Sequence, residues 1–123
     1  MAEVVKSFRD LRTWQQAMEL VPRIYVLVRQ LPPEERFALG EQIRGATVSV
    51  PANIAEGHAR RHAREFLQHL SIARGSLAEV HTLVLIARRL GYVGDLEKNE
   101  LEQTIDSIGK PLSGLVARLR EKP

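Results

Sequence analysis

The sequence predicts an all-α protein, an antiparallel up-down-up-down four-helix bundle, from three observations. Four segments carry apolar residues at steps of three and four, the spacing of one helical face. No window alternates with period two for long enough to make a strand. The segments are of similar length and joined by short connections, so consecutive helices are expected to lie side by side and opposed. The chain of 123 residues is expected to be one domain, 1–123, with helices at about 11–31, 34–57, 61–90 and 95–120.

In the first segment Trp14, Met18, Val21, Tyr25 and Val28 form the apolar stripe, Asp10 or Thr13 can cap its start, and Pro32-Pro33 stops it. Pro22 inside the pattern predicts a local kink or a lost backbone bond. The second segment opens on Pro33-Glu34-Glu35, a proline and two acids suited to a helix N-terminus. Phe37, Ile43, Ala46, Val50 and Ile54 carry it forward through Pro51, and Gly57 can close it. The third is the clearest: Phe66, Leu70, Ala73, Leu77, Val80, Val84 and Ala87 alternate without a break as far as Leu90-Gly91. The fourth starts at Asp95 and repeats the rhythm in Leu101, Ile105, Ile108, Leu112, Leu115 and Leu119, with Gly109, Pro111 and Gly114 in its middle.

A second apolar row on the first helix, Leu20, Ile24 and Leu27, runs beside the stripe, about 100° round the axis for each single-residue offset. A monomeric bundle needs one stripe per helix. These three residues are therefore the candidate oligomer interface, since contiguous surplus apolar surface is what a second copy covers; the alternative is a wide core face at a crowded crossing.

Composition narrows the chemistry. A chain that is 44% hydrophobic and 27% charged is too apolar for intrinsic disorder. The absence of cysteine excludes disulfides, thiolate metal sites and thiol catalysis. No signal-peptide core opens the sequence, and the apolar run Leu83–Ala87 is far short of a membrane span, so a cytoplasmic protein with no membrane partner is expected. Formal net charge is +3, and arginines outnumber lysines by fourteen to four, favouring planar donors suited to phosphate or carboxylate.

Catalytic patterns are missing. The histidines are His58, His62, His69 and His81, and neither Glu65 nor Glu79 has a histidine three residues later, as a di-iron bundle would require. A surface site of Glu56, His58 and His62 is the nearest approach to a metal-ligand spacing. No nucleophile elbow surrounds any serine, and neither a P-loop nor a dinucleotide fingerprint is present. The expectation is a protein with no catalytic residue, no metal and no cofactor.

The distinctive stretch is 53–64. Arg60, Arg61 and Arg64, flanked by His58 and His62, make the densest positive cluster in the chain. Near the start of the third helix this charge opposes the dipole, so helix stability does not explain it; the cluster can grip phosphates or pair with acids on a neighbouring subunit. No aromatic interleaves the cluster, which argues against base stacking. Arg44 is a further candidate contact. Asn53, Glu56, Arg74 and Glu79 are candidates for a polar interhelical network that fixes register, and Gly75, mid-helix, suggests a tight helix crossing.

Several of these residues also carry a family resemblance. Asp10-Leu11 with Trp14-Gln15, Ile24-Tyr25, Gln42-Ile43-Arg44, the run Val48 to Gly57, and Phe66, Leu70, Ile72 to Leu77 and Glu79 occur in an order that resembles the ribosomal RNA intervening-sequence proteins. The likeness extends from about Phe8 to Arg120. It implies a single antiparallel four-helix bundle assembled with itself as a ring-like homopentamer, and no catalytic residue. Accessory proteins of diversity-generating retroelements look like relatives; those are basic and bind a reverse transcriptase. The chain departs from the pattern in Gly45, where members often carry a second arginine after Arg44, and in Pro22. The expected function is therefore a non-enzymatic homo-oligomer that binds RNA or DNA, or a nucleoprotein, through Arg60, Arg61 and Arg64. The rival expectation is a scaffold whose partner is another protein.

Overall fold

Where a helix carries one apolar row, that row becomes the core. The computed structural model describes residues 7–121, and among these it holds four long helices and no strand. They are α1 (Arg12–Gln30), α2 (Leu39–Ala59), α3 (Ala63–Arg89) and α4 (Asp95–Arg120), with 3-10 turns at Phe8–Asp10 and Pro33–Glu35. In α3 the buried residues include Leu70, Ala73, Leu77, Val80, Val84 and Ala87. In α4 they include Leu101, Ile105, Ile108, Leu112 and Leu115. Both are the rows expected from spacing. α1 and α3 each pack on α2 and α4, which closes one apolar core, and the α2–α3 contact is the most extensive.

α1 turns the other way from the expectation. Leu20, Ile24 and Leu27 are each 0% exposed, so they are core rather than an interface. The row assigned to the core is split: Val28 is buried, but Met18 is 46% exposed, Tyr25 is also exposed, and Trp14 is half-buried with its ring 5.1 Å from Phe8. Two equally apolar rows offer a helix two burial faces, and here the row with Pro22 beside it is the one left outside. Pro22 has no N–H for the Met18 carbonyl, and with the face carrying positions 18, 22 and 25 turned outward that carbonyl is left towards water. The register against α4 is held by Thr13, whose hydroxyl donates to the Ile108 carbonyl at 3.0 Å. Neither Asp10 nor Thr13 caps α1; its N-cap is Leu11, with no side-chain bond.

α2 starts later than expected. Pro33–Glu35 is a separate 3-10 turn, Ala38 breaks the path at φ −115°, ψ −97°, and the helix begins at Leu39. Phe37 consequently lies outside the stripe and is 82% exposed. Gly40 makes the tight return possible, since a Cβ there would sit 3.1 Å from the Glu35 carbonyl oxygen and 3.3 Å from Val28. The chain between α3 and α4 turns at Gly91, φ +80°, where a glycine carries no left-handed penalty.

α3 contains an 18-residue window of mean hydropathy 1.3, so by length and composition this helix is apolar enough to cross a membrane. Its buried stripe packs between α2 and α4 and accounts for much of that hydropathy, while Ile72, Leu85 and Ile86 lie exposed on its other faces.

Candidate nucleic-acid interface

The basic cluster sits on the three-residue hinge between α2 and α3. Gly57, rather than closing α2, lies inside it at the crossing: a Cβ there would come within 2.6 Å of the His69 Cβ and 3.0 Å of the Phe66 ring. This close approach lets His69 donate from Nδ1 to Asn53 Oδ1 at 3.0 Å. Asn53 Nδ2 donates in turn to the Ser49 carbonyl and hydroxyl oxygens, and Ser76 Oγ donates to Ser49 Oγ at 2.9 Å. His58 meets Phe66 edge-on at 5.7 Å. A polar seam and an aromatic contact thus anchor the hinge from both sides.

Above this anchor, Arg60 caps α2 in helical geometry, Arg61 takes φ 65°, and His62 is extended as the N-cap of α3. Arg61 is the one non-glycine residue with positive φ among the described residues. A residue with a Cβ pays roughly 1–2 kcal/mol in that region, which is why glycine or asparagine usually follows a helix end. Arg60 pairs with Glu56 at 3.3 Å, an exposed i,i+4 contact of little energetic weight. The side chains of Arg61 and Arg64 are exposed and, among the described residues, have neither hydrogen bond nor ion pair, while the Arg61 backbone N–H donates to the His58 carbonyl at 3.4 Å.

Arg44 does not join them. It lies sixteen residues before Arg60 on α2, about 24 Å along the axis, and donates to the Arg36 carbonyl at 3.4 Å. The four residues expected to form one polar network are in separate contacts. Asn53 belongs to the serine–histidine seam, Glu56 to Arg60, and Glu79 accepts from Gln42 at 3.2 Å. Arg74 is exposed and unpaired among the described residues, beside Asp106 and Ser113 in a groove of about 220 Å³ between α3 and α4. Ser49, Ser76 and His69 are the partners that sequence reasoning missed; the i,i+4 spacing of Ser49 and Asn53 was the available sign. Gly75 is not a tight crossing, because a Cβ there would meet nothing within 4 Å. Among the described residues, no three His, Asp or Glu side chains converge as metal ligands.

The opposite end of the molecule is wired differently. Arg88 donates to Asp95 at 2.5 Å across the α3–α4 turn, holding the carboxyl below the usual range and the guanidinium above its own. His81 Nε2 and Lys98 Nζ donate to the two oxygens of Glu102 at 2.7 and 3.0 Å, and these bonds, His81's first, depress its pKa. Tyr92 donates its hydroxyl to Glu35 at 2.9 Å, which raises the phenol pKa and ties the turn to the α1–α2 connection.

Comparison with known proteins agrees with this architecture. A solved protein of unknown function from the S23 ribosomal protein family of Bacteroides thetaiotaomicron VPI-5482 superposes with a TM-score of 0.78 at 23% identity, covering 85% of this chain and 95% of that one. No curated protein matches the chain. The sequence pattern of the 23S rRNA-intervening sequence proteins matches residues 9–114, and the chain belongs to that family.

Proposed function

We propose that this protein is a non-enzymatic, homo-oligomeric helical bundle that binds nucleic acid, alone or in a nucleoprotein, through Arg60, Arg61 and Arg64. The observation that carries the reading is Arg61. A positive-φ position that glycine would fill without strain holds an arginine instead, between two further arginines, and its charge is not used inside the chain. Local strain of this kind is retained where a side chain serves something beyond the fold. Phosphates are the partner that planar, unsatisfied guanidinium groups fit best.

The antiparallel arrangement belongs to the same proposal. It is supported by pairs in which residue numbers rise on one helix and fall on its neighbour, such as Gln42–Glu79, Ser49–Ser76 and Asn53–His69. So does assembly into a ring of five, for which the resemblance to the family and the outward apolar residues Met18, Tyr25 and Val26 on α1 are the support. A ring would set several basic hinges near one ligand and multiply their field. Native mass spectrometry should then find about five times the 13.9 kDa chain mass; a monomer removes the ring.

The binding test is fluorescence anisotropy of labelled RNA and DNA across a salt series. R60A/R61A/R64A should bind more weakly, with a log–log salt slope shallower by about 2–3, three contacts at 0.7–0.9 each. Unchanged affinity and slope would sink the reading. The exposed apolar row on α1 favours the second reading, a scaffold for another protein, and a stoichiometric protein partner retained after nuclease treatment would select it.

A further inference from the structure

The hinge arginines are the positive residues the sequence groups together; the helices group others with them. Two contacts set the level of α4 against α3: His81 bonds Glu102, and a Cβ at Gly109 would pack 3.7 Å from Leu77. Numbers rise along one helix as they fall along the other. Arg64 lies thirteen residues before Leu77, about 20 Å along α3, and Arg120 lies eleven residues after Gly109, about 17 Å along α4. The last turn of α4 therefore reaches the level of the hinge, bringing Arg118 and Arg120 to the same end of the molecule. Both side chains are exposed and, among the described residues, neither has a hydrogen bond or ion pair. The Arg118 guanidinium lies beside Gly114, where no side chain competes for the space.

These positions are not explained by the helix alone. A basic residue in a last turn gains a few tenths of a kcal/mol from the dipole; α3 too ends on two arginines, but there Arg88 is paired with Asp95. The same end carries the acids Glu56, already paired with Arg60, Glu65 in the first turn of α3, and the exposed Glu121, against Arg60, Arg61, Arg64, Arg118 and Arg120.

We infer that the nucleic-acid surface spans two elements, with Arg118 and Arg120 of α4 binding backbone phosphates together with the α2–α3 hinge. The inference rests on the nucleic-acid reading above and extends it beyond the hinge. A single hinge offers a short contact; two elements at one end give a strand or a groove edge a path across the molecule. Guanidinium groups on separate helices also fix orientation as well as charge, because each can chelate a different phosphate.

The experiment compares full-length wild type, R118A/R120A, R118K/R120K and R29A/R89A, binding fluorescein-labelled single-stranded RNA and duplex DNA between about 50 and 200 mM salt. R29A/R89A removes the same charge from exposed positions at the far end. Circular dichroism confirms helix content in each variant, and R118Q/R120Q replaces the alanine pair should that pair lose helix. The expected result is a salt slope shallower by about 1.4–1.8 for R118A/R120A, most of it restored by lysine, with little change for R29A/R89A. If R118A/R120A matches wild type while R60A/R61A/R64A is weakened, the second element is overturned and the hinge reading stands. Equal losses for R118A/R120A and R29A/R89A would mean that net charge, not this end, sets affinity, and overturn it too. Wild type that binds neither probe, or that releases RNA to polyaspartate as readily as to unlabelled RNA, overturns the nucleic-acid reading itself.

Discussion

The two ends of this bundle carry similar residue types and use them in opposite ways. At the α3–α4 turn, Arg88, Lys98 and His81 each face a carboxylate of the same chain, and Tyr92 reaches across to Glu35. At the α2–α3 hinge, Arg61 and Arg64 face solvent, and one of the three hinge arginines holds a left-handed backbone. A formal net charge of +3 conceals this polarity. Charge that is paired internally stabilises or orders a turn; charge left unpaired is available to a ligand. Distribution is therefore more informative than total.

The contrast can be broken at several points. The largest effect expected is on binding, where R60A/R61A/R64A at the hinge should cost far more affinity than R88A at the turn, measured by anisotropy at one salt concentration. Equal losses would abolish the distinction between the ends. Next comes Gly57→Ala. Its Cβ would press on the His69 Cβ, a contact that no flexible side-chain tip can relieve, and the overpacking should destabilise the fold by about 1–3 kcal/mol in urea unfolding. The same change should loosen the hinge and weaken binding.

Arg61→Gly sharpens the comparison, because its two effects have opposite sign. Relieving the positive φ should make the protein about 1 kcal/mol more stable, while binding declines. If stability falls instead, Arg61 serves the fold and its strained backbone says nothing of a ligand. The smallest effect belongs to the turn. Glu102 has a depressed pKa in the folded protein, so its contribution is present at neutral pH and is lost as pH falls through that lowered value. Glu102→Gln should lower the melting temperature slightly at pH 7, with the difference vanishing in acid and RNA affinity unaltered.

How much of this was legible depends on how many choices each segment offered. α3 and α4 have one long row each, and the buried faces follow from spacing alone. α1 has two rows, and hydrophobicity cannot rank Leu20-Ile24-Leu27 against Trp14-Met18-Tyr25; Pro22 lies on the exposed row, but Pro51 is buried in α2, so a proline alone does not tell the faces apart. Phe37 was counted with the stripe although it stands six residues before Ile43, off the three-and-four rhythm, and the helix does not begin until Leu39. Glycine was ambiguous in the same way. Gly57 and Gly75 both interrupt helical sequence, yet one permits a crossing and the other faces open space, a difference set by neighbours distant in sequence. The hinge arginines were visible because they are contiguous. Arg118 and Arg120 were not, since only the register of α4 on α3 brings them near.

The bond between Thr13 and the Ile108 carbonyl joins residues 95 apart in the chain. α2 and α3 are joined by a three-residue hinge, so their contact can form early with little loop-closure entropy, while the α1–α4 seam must enclose nearly the whole chain. Folding is then expected to finish, and local opening to begin, along that seam. In native-state hydrogen exchange α1 should lose protection before α2 and α3 do, leaving the packed contact between those two helices the last region of the molecule to open.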